Sequence, residues 1–195
     1  MEEPLAQLYR VMNAISPIPI ADWEKGCSML RVKSFPAHQV IFNNGEVFNY
    51  ILFLSKGLVR TYYIAEDGRD TTFQLSEENN FAVDYSSFIT RQPSKLTCET
   101  LEDSEIVLIP YLELQRLYEC SPAFTQFGKV IAEWAFIRTY DRALSLLTES
   151  AQVRYDQLVK ERPSLINRIP QYYLASYLGI TPQSLSRIRA GNSKK

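Results

Sequence analysis

One histidine and three cysteines are all that this 195-residue chain offers to soft metals and redox groups. His38 stands alone, so a metal site built from two or three imidazoles and a carboxylate is excluded, and with it the metal-dependent enzymes that use one. It is also the one axial candidate for haem, but beside Pro36 and ahead of a strand it is expected to be a turn or surface residue. Cys27, Cys98 and Cys120 are far apart and form no C-x-x-C pair. They cannot supply the four thiolates of an iron–sulfur cluster, a zinc site or a disulfide framework, and are expected to be small buried hydrophobes. No Gly-rich phosphate loop and no Ser-His-Asp set offers a catalytic reading, so neither an enzyme nor a cofactor is expected. No run approaches the roughly eighteen apolar residues of a membrane span. Met1-Glu2-Glu3-Pro4 opens no secretory signal, and the expected location is the cytoplasm.

Apolar residues make up 46% of the chain, enough for one large core or two modest ones. The formal net charge of -1 conceals an asymmetry. Residues 151–195 hold eight Lys and Arg against Asp156 and Glu161, a local +6, and residues 1–150 carry -7. A basic segment on an acidic protein is the footprint expected for a polyanion partner.

The hydrophobic period changes near residue 110. Before it, runs rich in β-branched and aromatic residues at 40–42, 50–54, 58–64, 71–75, 96–101 and 106–109 predict strands. Turn chemistry separates them in Asn43-Asn44-Gly45-Glu46, Ser55-Lys56-Gly57 and Glu66-Asp67-Gly68-Arg69. Short strands at such spacing imply an antiparallel sandwich or rolled barrel, flanked by amphipathic helices at residues 2–13 and 20–30. After Pro122, Val130, Ile137, Leu144 and Ala151 recur every seven residues with Trp134, Tyr140 and Leu147 between them. That spacing suits a seam between two helices. It equally suits packing on the chain's own domain, and Phe127, Ile131 and Phe136 widen the apolar surface enough for both. A hinge is expected at residues 148–150, and Pro163 should break the next helix and introduce the final motif.

That motif spans residues 169–189. Pro170 suits the first position of a helix, Gly179 supplies the positive φ of a sharp helix exit, and Thr181-Pro182 starts a second helix with the hydroxyl as cap. Leu174, Leu178, Ile180, Leu185 and Ile188 can face inward together, and Ala175 lets the helices cross closely. Gln183, Ser184, Ser186 and Arg187 stay outside on the second helix, and such side chains hydrogen-bond base edges and phosphates. A terminal hairpin that merely packs on a core has the same spacing.

This order of parts resembles the Crp/Fnr transcription regulators over nearly the whole chain, from Ser34-Phe35-Pro36 through Gly45-Glu46 and Lys56-Gly57 to the hairpin. The likeness is sharpest in the run Leu174 through Ile188, which is similar to short Bacteroidetes-type regulators. The resemblance implies an α+β fold: an N-terminal antiparallel, jelly-roll-like β-roll sensor (residues 1–120), a long dimerisation helix (121–147) and a C-terminal helix-turn-helix domain (148–195). The family's wing is expected to be reduced or absent, since the sequence ends six residues beyond Arg189. The implied DNA-facing set is Gln171, Thr181, Pro182, Gln183, Ser184, Ser186, Arg187 and Arg189. Arg187 stands where the family keeps a base-reading arginine, and Ser184 is better placed for a phosphate. Arg189, Lys194 and Lys195 also read as solvated charges at a helix end. Val130, Trp134, Ile137 and Leu144 are the implied dimer contacts.

The sensor half departs from the cyclic-nucleotide-binding members of the family. Where they have Gly-Glu and, ten residues on, Arg-Ser or Arg-Thr, this chain has Val83-Asp84 and Ser94-Lys95. The bidentate phosphate ligand is lost and Lys95 replaces it only as a displaced point charge, so cyclic AMP is not the expected effector. Asp84, Arg91 and Lys95 could line a pocket for another small anion, or stand as solvated loop charges. The expected partners are double-stranded DNA, a second copy of the chain, an unidentified small molecule and, for a transcription regulator, RNA polymerase. The alternative is a small-molecule-binding β-roll whose hairpin contacts protein and binds no specific DNA.

Overall fold

The computed structural model describes residues 2–192. Helices α1 (Glu3–Ile15) and α2 (Ile20–Cys27) lead into strands β1 (Arg31–Phe35), β2 (Val40–Phe42), β3 (Tyr50–Lys56), β4 (Val59–Ile64), β5 (Asp70–Ser76) and β6 (Phe81–Ala82). The short helix α3 (Tyr85–Thr90) precedes β7 (Leu96–Thr100) and β8 (Ser104–Pro110). Everything after is helical: α4 (Tyr111–Cys120), α5 (Pro122–Thr148), α6 (Ala151–Glu161), α7 (Pro163–Arg168), α8 (Gln171–Tyr177) and α9 (Pro182–Asn192).

The strands form two antiparallel four-stranded sheets, ordered β1-β8-β3-β6 and β2-β7-β4-β5, facing each other as a roll. Strand β3 explains why its sequence reads as a continuous apolar run. Leu52 and Leu54 point between the sheets beside Phe42, Phe48, Val59 and Ile106, and Ile51 and Phe53 point outward under a second core with Leu8, Met12, Trp23, Leu117, Phe124 and Phe127. Pleated alternation puts successive residues on opposite faces, and here helices cover the outer one. A third core joins Leu58, Leu75 and Leu101 of the roll to Leu165, Leu174, Leu178 and Leu185 of the terminal helices.

The strand runs and turns expected from sequence all appear, with shifted ends. Strand β1, strand β6, α3 and α4 were not expected: the first mixes charge into its pattern, the next two are very short, and α4 starts directly on the last residue of β8. Helix α2 stops at Cys27 rather than residue 30, because Leu30 leads into β1. Pro163 does not introduce the hairpin directly but opens the short helix α7, in the first-turn position that tolerates a missing N–H. Ala151 falls out of the seven-residue series, since α5 ends at Thr148, Glu149 is extended and Ser150 caps α6 by accepting from the N–H of Val153. Of the cysteines only Cys98 is buried, where desolvation pushes its thiol up to about 12; Cys120 is exposed.

Candidate nucleic-acid interface and sensor pocket

Helices α8 and α9 form a closely packed two-helix unit. Ala175 is fully buried where the helices approach, among Leu174, Leu178 and Leu185. Gly179 lies at φ +70°, and its N–H and that of Ile180 donate back to the carbonyls of Ser176 and Ala175. This is the double hydrogen bond of a helix closed by a left-handed residue. Thr181 then caps α9, its Oγ1 accepting from the N–H of Ser184 at 3.2 Å. Pro170 stands one residue before α8, as its N-cap.

The implied DNA-facing residues divide. Gln183, Ser186 and Arg187 lie exposed on α9, and none of the three makes a hydrogen bond or ion pair among the described residues. Thr181 is exposed, and Gln171 is exposed with its amide donating to the Pro182 carbonyl at 3.3 Å. Pro182 and Ser184 are half-buried, and Ser184 shares its hydroxyl with Thr181 at 3.1 Å. Arg189 does not share this face: it is half-buried and its Nη2 reaches the Ile166 carbonyl at 3.5 Å. Lys194 and Lys195 lie outside the described residues.

Two of the arginines of residues 151–195, Arg162 and Arg168, face the roll. Arg168 forks onto two carboxylates, with Nη1 and Nη2 each 2.8 Å from Glu78 oxygens and Nη2 2.6 Å from Glu102. Glu78 also accepts the N–H of Gly57, a glycine at φ +100° where a methyl group would lie 2.7 Å from Cα of Ser104. Burial raises the Glu78 carboxyl pKa, but the hydrogen bonds from Arg168 and the backbone outweigh that and hold it below its ordinary value. Arg162 pairs with Glu77 at 2.7 Å, and Ser164 donates to the same carboxylate. Arg154 of α6 donates to the Leu178 carbonyl at the end of α8. Among the described basic residues of this segment, Lys160 and Arg187 are the exposed ones.

Beside these pairs Arg60 is 1% exposed, sandwiched between the rings of Tyr62 and Tyr173 at 4.2 and 3.7 Å. It bonds both oxygens of Asp70 and reaches Glu99. Burial, and then the charge of Glu99, push the Tyr62 hydroxyl up to about 12. Ser176 of α8 accepts from the N–H of Thr72 at 2.8 Å, fixing α8 along β5. Sequence reasoning missed this junction. An arginine inside the apolar run Val59-Arg60-Thr61-Tyr62-Tyr63 was its one local signal.

In the roll, Asp84, Arg91 and Lys95 do not converge. Asp84 caps α3, and its other oxygen accepts from the hydroxyl of Ser94 at 2.6 Å. The two positions that would grip ribose and phosphate are therefore bonded to each other. Arg91, at φ +59°, turns toward the carbonyls of Phe48 and Phe88 and the side chain of Asn49, and lies 4.0 Å over the Tyr111 ring. Lys95 is exposed.

Helix α5 is apolar on most of its circumference. Phe127 is buried in the roll's outer core with Ile131 packed beside it, and Val130 is half-buried. Farther along, Trp134 (49%), Phe136 (71%), Ile137 (52%), Leu144 (45%) and Leu147 (84%) stand exposed.

Comparison with known proteins bears on this architecture. Residues 32–120 match the family of cyclic nucleotide-binding domains. The matched domain covers the roll from β1 through α4. Solved structures share the fold of the longer chain. FixK2 from Bradyrhizobium japonicum aligns over 85% of this chain and 85% of its own at 18% identity, with a TM-score of 0.73. The c-di-GMP-responsive global regulator CLP of Xanthomonas campestris aligns over 90% of this chain and 92% of its own at 16% identity and a TM-score of 0.70. A protein described as a transcriptional regulator of the Crp/Fnr family, from Eubacterium rectale, aligns over 91% and 85% at 16% identity and a TM-score of 0.69. No curated protein matches the sequence. The roll followed by helices is thus a Crp-like architecture around a cyclic nucleotide-binding domain fold. Among the described residues no helix is long and apolar enough to cross a membrane.

Proposed function

We propose that this chain is a sequence-specific, DNA-binding transcription regulator that works as a homodimer and is not an enzyme. Residues 1–120 act as its sensor, 121–147 as its dimerisation helix and 148–195 as its DNA-binding domain. The observation that carries the reading is the α8–α9 unit: Leu174, Ala175, Leu178 and Leu185 are buried on its inner face, its turn is closed at Gly179, and its second helix leaves Gln183, Ser186 and Arg187 exposed and, among the described residues, unpartnered. These are groups with the reach and hydrogen-bonding pattern to read a major groove. The exposed seam of α5 is too apolar to be left to water in a monomer, and a second α5 covers it with matching residues.

The effector is a molecule other than cyclic AMP. With Asp84 and Ser94 bonded to each other, a buried cyclic phosphate would meet a carboxylate at position 84 and a hydroxyl in place of a guanidinium at position 94. Calorimetry against millimolar cyclic AMP and cyclic GMP should show no saturable heat. Binding tighter than about 10 μM would overturn this part of the reading.

A second reading has one observation in its favour. Arg162 and Arg168 face glutamates of the roll, so the charge asymmetry also serves to join the halves of the molecule, as it would in a sensor whose hairpin contacts only protein. Titration of labelled duplex DNA at several salt concentrations separates the two. A regulator loses affinity steeply as salt rises, through release of counterions from the phosphates it neutralises. No binding at low salt would favour the protein-contact reading.

A further inference from the structure

The space between the two sheets is packed with Phe42, Phe48, Leu52 and Ile106, the two phenylalanine rings stacked at 4.0 Å. The open space lies on the other side of the first sheet. A narrow apolar cleft runs between that sheet and helices α1, α2, α3, α4 and α5. Trp23, Phe81, Phe124 and Phe127 supply aromatic walls, and no charged side chain lines it. Two tyrosines do, Tyr85 and Tyr118. Neither phenol hydroxyl makes a hydrogen bond among the described residues, and burial raises both above the ordinary tyrosine value.

We propose that this cleft, rather than the interior of the roll, is the sensory site, and that it takes a small uncharged aromatic molecule carrying one hydroxyl or carbonyl group. A charged ligand would lose its hydration against walls that return nothing. An aromatic ring finds edges and faces at contact distance, and the single polar group finds Tyr118 or Tyr85. Phe124, Phe127 and Ile131 belong to the first turns of α5, the same helix that carries the exposed seam. A ligand wedged against them therefore bears on the position of that helix relative to the roll. This consequence for regulation rests on the DNA-binding reading; occupancy of the cleft does not.

The chain holds two tryptophans, Trp23 in the wall of the cleft and Trp134 exposed on α5. In the full-length Trp134→Phe variant, Trp23 is the sole indole, and 4-bromophenol at neutral pH serves as a heavy-atom quencher. The expected result is saturable quenching, half-complete below about 1 mM, competed by phenol and not by 4-bromobenzenesulfonate. Ile131→Phe on the same background, enlarging a lining side chain, should weaken binding about tenfold with the far-ultraviolet circular dichroism unchanged. If that variant is poorly folded, Tyr118→Phe gives the second test: it should weaken 4-bromophenol several-fold and leave bromobenzene unchanged. Quenching that rises linearly without saturation would overturn the proposal, as would saturable quenching matched by the sulfonate or equal losses for both probes in Tyr118→Phe. None of these readouts contains DNA, so failure here and failure of DNA binding are told apart.

Discussion

Arg187 is the residue on which base recognition depends in this account. It is exposed on α9, unpaired among the described residues, and flanked on the same helix by Gln183 and Ser186. A guanidinium there forks onto O6 and N7 of guanine, a contact that discriminates by about 1–3 kcal/mol. Arg187→Ala should therefore cost about that much per half-site and relax preference at one base pair, with little loss on random DNA. Ser184→Ala behaves differently, because the Ser184 hydroxyl already faces Thr181. It should weaken all sequences alike and by less. Parallel titrations of both variants on specific and random duplexes at fixed salt decide the matter, and an Arg187→Ala protein with unaltered preference removes the arginine from its role. Arg189, grouped with Arg187 by sequence, instead turns inward to Ile166.

Two elements carry further expectations. Helix α5 exposes Ile137 at 52% in the single chain, so a charge there meets water in the monomer and an apolar partner in the dimer. Ile137→Asp should dissociate the dimer while leaving the helical circular dichroism of the monomer largely intact. Light scattering at micromolar concentration checks this, and a monomeric parent protein contradicts it. The second element is the contact of α7 with the roll through Arg168, Glu78 and Glu102. Because the folded state holds the Glu78 carboxyl below its ordinary pKa, its contribution to stability is present at neutral pH. That contribution is lost as pH falls through the folded value. Thermal unfolding followed downward from pH 7 should show a loss of stability in the parent protein on the acid side of the ordinary glutamate range. Glu78→Gln should be less stable at pH 7 and flatter across that interval. Identical pH profiles would mean that another carboxylate governs the acid limb.

At the scale of the whole molecule, the roll and the helical end share one core and three arginine–carboxylate ion pairs. The roll was legible in its sequence because alternating β-branched runs and Gly-containing turns are local signals. The α8–α9 hairpin was legible because Pro170, Gly179 and Thr181 each dictate a backbone geometry within a few residues. The junction was not, since Arg168 and Glu78 are ninety positions apart and neither carries a mark of its partner. The bond between Asp84 and Ser94, only ten positions apart, was hidden because neither residue marks the other as its partner, although the loss of the arginine at position 94 was itself readable. The apolar cleft between the first sheet and the helices left still less trace, being assembled from α1 to α5 and three strands, β3, β6 and β8, whose residues read simply as core. The measurement that tests the central claim most directly is selection from random duplexes by the full-length protein. A dimer presenting two copies of α9 predicts enrichment of an inverted repeat with half-sites centred about 10 base pairs apart, or a multiple of one helical turn. Recovery of no enriched repeat from duplexes that the protein does retain would contradict sequence-specific binding by this hairpin.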